Sequence, residues 1–343
     1  MQYINSLINI IRAKKQQNVT ISSTQKINVG ILGTGKIGTD LLVKVLRSPY
    51  LECVMFSGRN YNSEGMQFAA KLDLPVSDQG IIAFTKPGLH CDVVFDATSA
   101  AYHVEHAVIL ENLGILAVDM TPSQIGECCV PAISLDEVYE NDNLSMISCG
   151  GQSSIPLAHV LSKYVSGIKR IEVISRVSAD SIGPGTLANI DEYYRNTKAG
   201  LAKYTGLGVD TIDVELISDE INRETKMFTH ISAQVQDLRC VDLAVITQEV
   251  NRMVEKVQAY VPGYQLEAVP FVDGDQVTLV ISVEGAGDYL PKFAGNLDII
   301  NCAAIAVAEE FAKAKNGLVN SKRGIRAKVS TPIREEPVFA EAI

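Results

Sequence analysis

Residues 26 to 38 read KINVGILGTGKIG, and this stretch decides the fold. Its apolar run, residues 27 to 32, has the length and composition of a buried β-strand. The run leads into G-x-G-x-x-G, and TDLLVKVLRS follows at helical period. The motif alone is weak, but a strand, a glycine turn and a helix in this order are the context that a dinucleotide-binding unit requires.

The glycine turn is therefore a predicted cofactor site. Glycine permits the tight turn and lets the backbone approach a pyrophosphate, while the helix N-terminus supplies positive potential. A glycine turn without a ligand is the alternative. The residues assigned to cofactor binding are Gly33, Thr34, Gly35, Lys36, Ile37 and Gly38.

Strands and helices continue to alternate up to residue 150. The further strand candidates are YLECVMFSG, CDVVFDATSA, GILAVDMT and LSMISCGG, with helical stretches between them. This alternation indicates an α/β fold with βαβ units and a parallel sheet. Residues 27–150 are thus predicted to form a Rossmann dinucleotide-binding domain, which residues 1–26 precede as an N-terminal extension.

The pattern changes after residue 150. Longer stretches such as IKRIEVISRVSA and QVTLVISVEGAG alternate with period two, which is typical of a mixed, mostly antiparallel sheet with helices on one face. Residues 151–295 are predicted to form this second, α+β domain. The last amphipathic helix, residues 296–315, is expected to pack back on the first domain, and residues 317–343 are predicted to be a flexible tail.

Composition restricts the class of protein. With 47% hydrophobic and 20% charged residues the chain resembles a globular enzyme, and its net charge of −10 argues against binding nucleic acid. No apolar run approaches the roughly 20 residues of a membrane helix. Seven cysteines without a CxxC pair predict neither disulfides nor a metal, and favour a cytoplasmic location. His103 and His106 lack an evident third ligand.

Residues 148 to 156 read SCGGQSSIP, and Cys149 is the predicted nucleophile. It ends an apolar strand and precedes a helix that Ser153 or Ser154 is expected to cap, with Pro156 in the first turn. A helix N-terminus stabilises a thiolate and so lowers the pKa of the thiol. A buried structural cysteine is the alternative, but it has no need of two adjacent glycines.

Gly150 and Gly151 remove steric bulk beside this thiol, so that a substrate carbonyl can approach it. Their backbone N–H groups, with those of the first helical turn, are expected to hold a developing oxyanion.

A second glycine-rich loop, SIGPGTLANIDEY, spans residues 181 to 193. Two glycines, a proline and a threonine after a strand predict a rigid loop with many free N–H donors; a purely structural turn is the alternative. The cofactor residues assigned in it are Ser181, Ile182, Gly183, Pro184, Gly185, Thr186, Leu187, Ala188 and Asn189.

Several long motifs occur in order between residues 30 and 299, including GILGTGKIGTDLLVKVL, VVFDATSA, DMTPSQIG, SCGGQSSIP, GPGTLANIDEY, VEGAGDYLP and AGNLDI. Together they closely resemble the acylating acetaldehyde dehydrogenases, CoA-dependent enzymes that close meta-cleavage pathways of aromatic degradation. The resemblance covers residues 27 to about 312. It leaves out only the two ends of the chain.

The resemblance implies a Rossmann domain followed by a catalytic and dimerisation domain like that of glyceraldehyde-3-phosphate dehydrogenase. It implies that Cys149 forms an acyl thioester and that Asn296, in GNLDI, lies at the nicotinamide end of the cofactor site. The implied reactants are a short aldehyde of the acetaldehyde or propanal class, NAD or NADP, and coenzyme A. A homodimer or hetero-oligomer, and a 4-hydroxy-2-oxoacid aldolase partner, are implied as well.

The chain departs from the family in two places. Family members carry R-D-T, whose aspartate is thought to act as a base, whereas R-E-T here puts Glu224 at that position as the predicted base. Leu187 replaces an arginine that is common in the second cofactor loop.

The end of the second predicted strand bears on the choice of cofactor. NAD-selective Rossmann domains place an acidic residue there to bind the ribose 2′-hydroxyl. Here Arg59 follows the strand and no acid occurs before Glu64. Arg59 is therefore predicted to pair with a 2′-phosphate, so that NADP is accepted at least alongside NAD.

Two other functions fit parts of this pattern. A phosphorylating semialdehyde dehydrogenase of the same fold also uses a cysteine at a helix start, but it pairs the thiol with a histidine, and no histidine here lies in a comparable motif. A non-catalytic NAD(P)-binding regulator would need the glycine turn but not an exposed thiolate.

Overall fold

The computed structural model describes residues 25–182 and 190–319. Its first sheet has seven strands, all paired in parallel, in the order β3-β2-β1-β4-β5-β7-β6. The strands are β1 (Ile27–Leu32), β2 (Leu51–Ser57), β3 (Val76–Ser77), β4 (Val93–Asp96), β5 (Leu116–Asp119), β6 (Glu127–Cys128) and β7 (Asn143–Ser145). The strand order reverses direction between β1 and β4, and ligands of open α/β sheets bind at such a point.

Helices connect these parallel strands, as right-handed crossovers require. They are α1 (Lys36–Arg47), α2 (Glu64–Lys71), α3 (Ala100–Asn112) and α4 (Pro131–Ser134), with short 3-10 helices at Gly80–Thr85 and Leu135–Tyr139. The helix α5 (Cys149–Tyr164) follows β7 and leads out of this sheet into the second domain.

The second sheet has six strands, of which five run in the order β11-β13-β10-β8-β9, while β12 pairs with β13. They are β8 (Ile168–Ser178), β9 (Ile212–Asp219), β10 (Met227–Val235), β11 (Tyr264–Leu266), β12 (Phe271–Asp273) and β13 (Gln276–Val283). Only β8 and β9 pair in parallel, so the sheet is mixed and mostly antiparallel, as its alternating pattern predicts.

Helices cover one face of the second sheet. They are α5, α6 (Ile190–Thr205) and α7 (Leu243–Gln258), with 3-10 helices at Ala179–Ser181, Val209–Thr211 and Leu238–Cys240. On β10, Met227, Thr229, Ile231 and Ala233 are buried, whereas His230 between them is exposed. The period-two pattern therefore buries one face of this strand and leaves the other more open.

The last helix, α8 (Gly295–Lys315), returns to the first domain. Ile300, Ala303, Val307 and Ala308 lie in the same buried cluster as the strands of the first sheet, while Ile299 lies in the core of the second domain. Small side chains on this face let the helix approach closely.

A buried cluster of charges fastens α8 to α1. Lys44 Nζ lies 2.9 Å from Asp40 Oδ2, 3.1 Å from Asp288 Oδ2 and 2.7 Å from Asp298 Oδ1, and its side chain is only 8% exposed. Asp40 also accepts hydrogen bonds from the backbone N–H groups of Tyr289 and Leu290. One cation thus joins α1, α8 and the loop that precedes α8.

Candidate active site

A cavity of about 310 Å³ lies at the carboxyl ends of β1, β4 and β5 and at the N-termini of α1, α5 and α8. Three helix N-termini at one cavity give it positive potential. Its lining consists of Gly35, Lys36, Ile37, Ala97, Thr98, Ser99, Met120, Thr121, Pro122, Ile147, Ser148, Cys149, Tyr193, Asn296, Leu297 and Ile300.

The glycine turn shapes one wall of this cavity. Gly33 has φ 111°, and a Cβ there would stand 2.5 Å from the carbonyl oxygen of Ala97. A Cβ on Gly38 would overlap the carbonyl oxygen of Gly33. Gly35, by contrast, has open space beside it and makes no side-chain cap for α1. The turn therefore leaves the first N–H groups of α1 without a side-chain cap, at a place where a diphosphate can approach.

The helix α5 begins at Cys149 itself, earlier than the serines suggest. Ser148 is its N-cap, and its Oγ accepts a hydrogen bond of 2.8 Å from the N–H of Gly151. Ser153 and Ser154 donate to the carbonyl oxygen of Gly150 inside the helix. The prediction that Ser153 or Ser154 caps this helix is therefore wrong.

Because the helix α5 starts earlier than predicted, Pro156 occupies a different position in it and different N–H groups are available to an oxyanion. Pro156 lies inside the helix and not in its first turn. Because the N–H of Gly151 already binds Ser148, it is not a free oxyanion donor. The N–H groups of Cys149 and Gly150 face the sulfur instead.

The thiol does not have the low pKa that its helix position predicts. Burial raises the pKa of Cys149 to about 11, although the N–H of Gly150, its own N–H and the nearby Tyr193 hydroxyl oppose the rise. Desolvation disfavours the thiolate more than these donors favour it. The expected lowering of the pKa is thus not found, because the sequence does not reveal how closely the domain packs around this half-buried residue.

The residue two places before the nucleophile has a strained backbone. Ile147 has φ 64°, a left-handed conformation that a β-branched residue rarely adopts and that costs about 1–3 kcal/mol. The side-chain amide of Asn196 donates to the carbonyl oxygen of Ile147, and the hydroxyl of Thr197 lies 2.6 Å from Ser148 Oγ. Both residues belong to α6, which therefore holds the backbone that presents Cys149.

The sequence interpretation missed this supporting face of α6. Tyr193, Asn196 and Thr197 are buried and follow one another at i, i+3 and i+4. That spacing places them on one side of a helix, and it is the signal from which they could have been found.

Three buried polar atoms of the cavity lining have no hydrogen-bond partner among the described residues: Thr121 Oγ1, Asn296 Oδ1 and the Tyr193 hydroxyl. Buried polar groups are nearly always paired, so such atoms mark a place for a polar ligand. Asn296 uses its Nδ2 to donate to the carbonyl oxygen of Ser181 at 3.3 Å. Its oxygen remains available to accept from an amide, and with the open turn at Gly35 the lining fits a nicotinamide dinucleotide.

The other predicted cofactor residues lie at different distances from the cavity. Thr34 packs outside its lining, with its hydroxyl 3.0 Å from Ser63 Oγ. Ser181 reaches the site through its contact with Asn296, whereas Ile182 packs against the core of the second domain. The remainder of the second loop, residues 183 to 189 (Gly183, Pro184, Gly185, Thr186, Leu187, Ala188 and Asn189), falls outside the described residues.

Arg59 and Glu224 are both exposed and line no part of the cavity. Arg59 Nη1 donates to the hydroxyl of Tyr102 at 2.8 Å, and its guanidinium lies 4.7 Å from the centre of that ring. Glu224 lies in the turn between β9 and β10. The neighbouring Arg223 connects this turn to Asp180, because its Nε donates hydrogen bonds of 3.1 Å to both carboxylate oxygens. The predicted base role of Glu224 stays a prediction.

The two helical histidines of α3 meet a buried carboxylate behind the cavity. Nδ1 of His103 and Nδ1 of His106 lie 2.8 and 2.7 Å from the same oxygen, Asp96 Oδ2. His103 Nδ1 also lies 3.7 Å from Asp119 Oδ1, and Asp96 and Asp119 bind the N–H groups of Thr98 and Thr121. The histidine thus bridges the two carboxylates that anchor the loops lining the cavity.

This bridge predicts a pH-dependent contribution to stability. Burial lowers the pKa of His103, but its bond to Asp96 and the charge of Asp119 outweigh burial and raise it above the usual value. Because the folded protein binds this proton more tightly than the unfolded chain does, the protonated histidine contributes its full stabilisation below about pH 6.5. The contribution is lost as the pH rises through the pKa of His103 in the folded protein. Burial raises the pKa of Asp119 to about 6, and hydrogen bonds from both histidines hold that of Asp96 at about 2 against burial.

We expect His103→Gln to lower the free energy of unfolding by about 3 kcal/mol at about pH 5.5, with a smaller loss at about pH 8.5. Urea unfolding of wild type and variant at both pH values measures the difference. His90→Gln is the control, because the His90 side chain is 75% exposed. A loss for His103→Gln that is equal at both pH values would contradict a charged bridge.

Within residues 25–182 and 190–319, no cluster of three or more metal-ligating side chains occurs. No helix in that part of the chain is long and apolar enough to cross a membrane.

Comparison with known proteins supports this fold and identifies the family. Residues 149–291 match the family described as prokaryotic acetaldehyde dehydrogenase, dimerisation. Two solved structures have the same fold: aspartate semialdehyde dehydrogenase with NADP from Candida albicans (TM-score 0.60, 13% identity, 86% of this chain and 100% of that one) and aspartate semialdehyde dehydrogenase II from Vibrio cholerae (TM-score 0.54, 14% identity, 84% and 99%). They confirm the predicted fold class.

Curated relatives are much more similar in sequence. The acetaldehyde dehydrogenase of Pectobacterium atrosepticum is 45% identical over 85% of this chain and 98% of its own length. That of Spirochaeta aurantia is 43% identical over 85% and 97%. The sequence motifs predict the same relationship, and the chain belongs to the acetaldehyde dehydrogenase family.

Proposed function

We propose that this protein is an acylating aldehyde dehydrogenase, which converts a short aldehyde, coenzyme A and NAD(P)⁺ to acyl-CoA and NAD(P)H. One observation carries the proposal: Cys149 shares a single cavity with the uncapped start of α1 and with the Asn296 oxygen, which no described residue binds. A nucleophile and a dinucleotide cradle that face each other are the arrangement that oxidation of a thiol-bound aldehyde needs.

The first half of the reaction takes place on Cys149. Its thiolate attacks the aldehyde carbon, a C–S bond forms, and the carbonyl electrons move to oxygen to give a thiohemiacetal. The N–H groups of Cys149 and Gly150 face this region and would hold the oxyanion. A bound nicotinamide supplies the acceptor for the hydride, and the oxidised acyl group remains on Cys149 as a thioester.

In the second half the thiolate of coenzyme A attacks the thioester carbon. The same N–H groups hold the tetrahedral oxyanion, and the Cys149 thiolate leaves with the C–S electron pair. A base that removes the proton from the coenzyme A thiol would assist this step, and Glu224 is the residue predicted for that role.

The acceptor distinguishes this proposal from a phosphorylating semialdehyde dehydrogenase. We would incubate the protein with acetaldehyde or propanal, NAD or NADP, and either coenzyme A or phosphate, and follow formation of reduced cofactor at 340 nm. Turnover that requires coenzyme A supports the proposal. Turnover that requires phosphate would refute the proposal and identify a phosphorylating semialdehyde dehydrogenase. If the cofactor binds but no turnover occurs with either acceptor, the protein is a non-catalytic regulator.

Arg59 provides a prediction about cofactor choice. Its guanidinium is exposed and stacked on Tyr102 at the end of β2, where a 2′-phosphate of NADP would lie. We expect Arg59→Ala to reduce the ratio of kcat/KM for NADP to kcat/KM for NAD by about ten- to a hundredfold. This is the change in affinity that the loss of one charged hydrogen bond produces. Steady-state kinetics with both cofactors measure it, with Arg239→Ala as an exposed control. A wild type that rejects NADP, or an unchanged ratio in the variant, would refute the assignment.

We also propose that two copies associate as a homodimer through the open face of the second sheet. The matched dimerisation region, residues 149–291, contains all six strands of that sheet, and its open face carries Ile174, Phe228 and His230. Light scattering in solution tests the dimer, and a monomeric protein would refute it. A 4-hydroxy-2-oxoacid aldolase partner and a role in aromatic catabolism remain part of the proposal, as does a cytoplasmic location, with which seven cysteines outside any disulfide agree.

A further inference from the structure

Tyr193 lies directly over the start of α5. It extends from α6, its side chain is 4% exposed, and it lines the cavity that contains Cys149. A Cβ on Gly150 would overlap the Tyr193 hydroxyl and would stand 3.5 Å from Ser175 Oγ. Glycine at position 150 therefore makes room for the tyrosine hydroxyl, and not only for a substrate carbonyl.

The hydroxyl that this glycine accommodates is fully buried and closes no hydrogen bond with a described residue. A buried phenol normally finds a partner for its O–H. The groups beside it are the thiol of Cys149, the hydroxyl of Ser175 and the ring of Tyr194, whose centre is 5.6 Å away. Ser175 lies beside the tyrosine as a donor, since it lowers the pKa of Tyr193, so the sulfur is the group that can accept a hydrogen bond from the Tyr193 hydroxyl.

Cys149 in turn has no histidine to assist it. All five histidines lie elsewhere: His103 and His106 on Asp96, His159 on the carbonyl oxygen of Tyr204, His90 beside Asp92, and His230 exposed on β10. None of them lines the cavity, and no cationic side chain of the described residues contributes to the pKa of this thiol. Apart from backbone N–H groups, Tyr193 is the donor among the described residues that lies beside the sulfur.

We propose that the Tyr193 hydroxyl donates a hydrogen bond to the Cys149 thiolate, both before it attacks the aldehyde and when it leaves the thioester. The proposal deepens the function proposed above and rests on it for the two catalytic steps. Tyr193 keeps its proton throughout, because burial and then the adjacent thiolate raise its pKa well above the usual value. It acts as a fixed donor in place of a histidine base, and no proton transfer through it is required.

The test is the pH dependence of alkylation of Cys149 in Tyr193→Phe. Iodoacetamide modification of the peptide that contains Cys149 is followed by mass spectrometry, which separates it from the exposed Cys240. A charge-assisted hydrogen bond is worth about 1.5–3 kcal/mol, so the midpoint of the alkylation profile should rise by about one to two pH units. In the same variant kcat should fall by about ten- to a hundredfold, while the dissociation constant of NAD, measured by fluorescence quenching, stays within about twofold of wild type.

Two further variants make the result decisive. Tyr194→Phe removes the neighbouring hydroxyl and should leave the alkylation midpoint unchanged. Gly150→Ala puts a methyl group where the Tyr193 hydroxyl lies and should raise the midpoint as Tyr193→Phe does, so the test survives if one of these two variants fails to fold.

The alkylation profile is independent of the proposed reaction. An unchanged midpoint in folded Tyr193→Phe would overturn the hydrogen bond, even if kcat falls, because a merely structural tyrosine would affect only the rate. A raised midpoint in a protein without CoA-dependent turnover would instead keep the hydrogen bond and refute the proposed function.

Discussion

Cys149→Ser is expected to lower acyl-CoA formation by at least about a thousandfold while leaving the fold and cofactor binding intact. Serine is close in shape to cysteine, but its hydroxyl is a far weaker nucleophile at neutral pH, and no histidine is near enough to activate it. The measurement is kcat/KM for the aldehyde with saturating coenzyme A, together with the NAD dissociation constant.

Cys240→Ser is the matched control for this experiment, since that thiol is exposed and lies outside the cavity. It should retain full activity. A Cys149→Ser enzyme within about tenfold of wild type would remove the thiol from the mechanism, and with it the thioester intermediate.

Lys44→Met is expected to reduce the free energy of unfolding by about 3–5 kcal/mol. Methionine matches the length of the lysine stem, but it leaves the carboxylates of Asp40, Asp288 and Asp298 buried without the cation that lies within 3.1 Å of each. Removing one partner from a buried charge cluster is costly because the remaining charges have already lost their water. Urea unfolding followed by circular dichroism measures the change.

The control for this stability measurement is Lys292→Met, in the same loop as Asp288. Lys292 pairs with Glu284 at 3.0 Å, but the two side chains are 71% and 48% exposed, so its loss should cost less than about 1 kcal/mol. Equal losses for the two lysines would mean that the buried cluster contributes no more than a surface ion pair.

The dinucleotide fold can be predicted from residues 27 to 38 because its signals are local. A buried strand, a glycine that must adopt φ 111° and a helix without a side-chain cap all follow from consecutive residues. The same holds for the strand pattern of the second domain, since Ile171 and Val173 alternate with exposed neighbours on β8.

The details around Cys149 could not be predicted in this way. Ser148, Ser153 and Ser154 are all acceptable caps by residue type, and the cap is Ser148, which directly follows the left-handed Ile147. The pKa of the thiol depends on burial, which is a property of the packed domain and not of the local sequence.

The supporting residues were missed for a similar reason. Tyr193, Asn196 and Thr197 lie more than 40 positions after the nucleophile, and their helical spacing alone does not reveal which element they face. Only the packing of α6 against α5 brings them to residues 147 to 149.

The return of α8 to the first domain has a consequence for synthesis of the chain. Residues 27 to 32 leave the ribosome early, yet Ala303, Val307 and Ala312, which cover the core around them, are made more than 270 residues later. Until then the nascent first domain exposes an apolar groove, Lys44 lacks two of its three carboxylates, and Asn296 is absent from the cavity. The domain that is translated first therefore cannot complete its folding until the last helix has been made, and a chaperone that shields this groove would act throughout translation of the second domain.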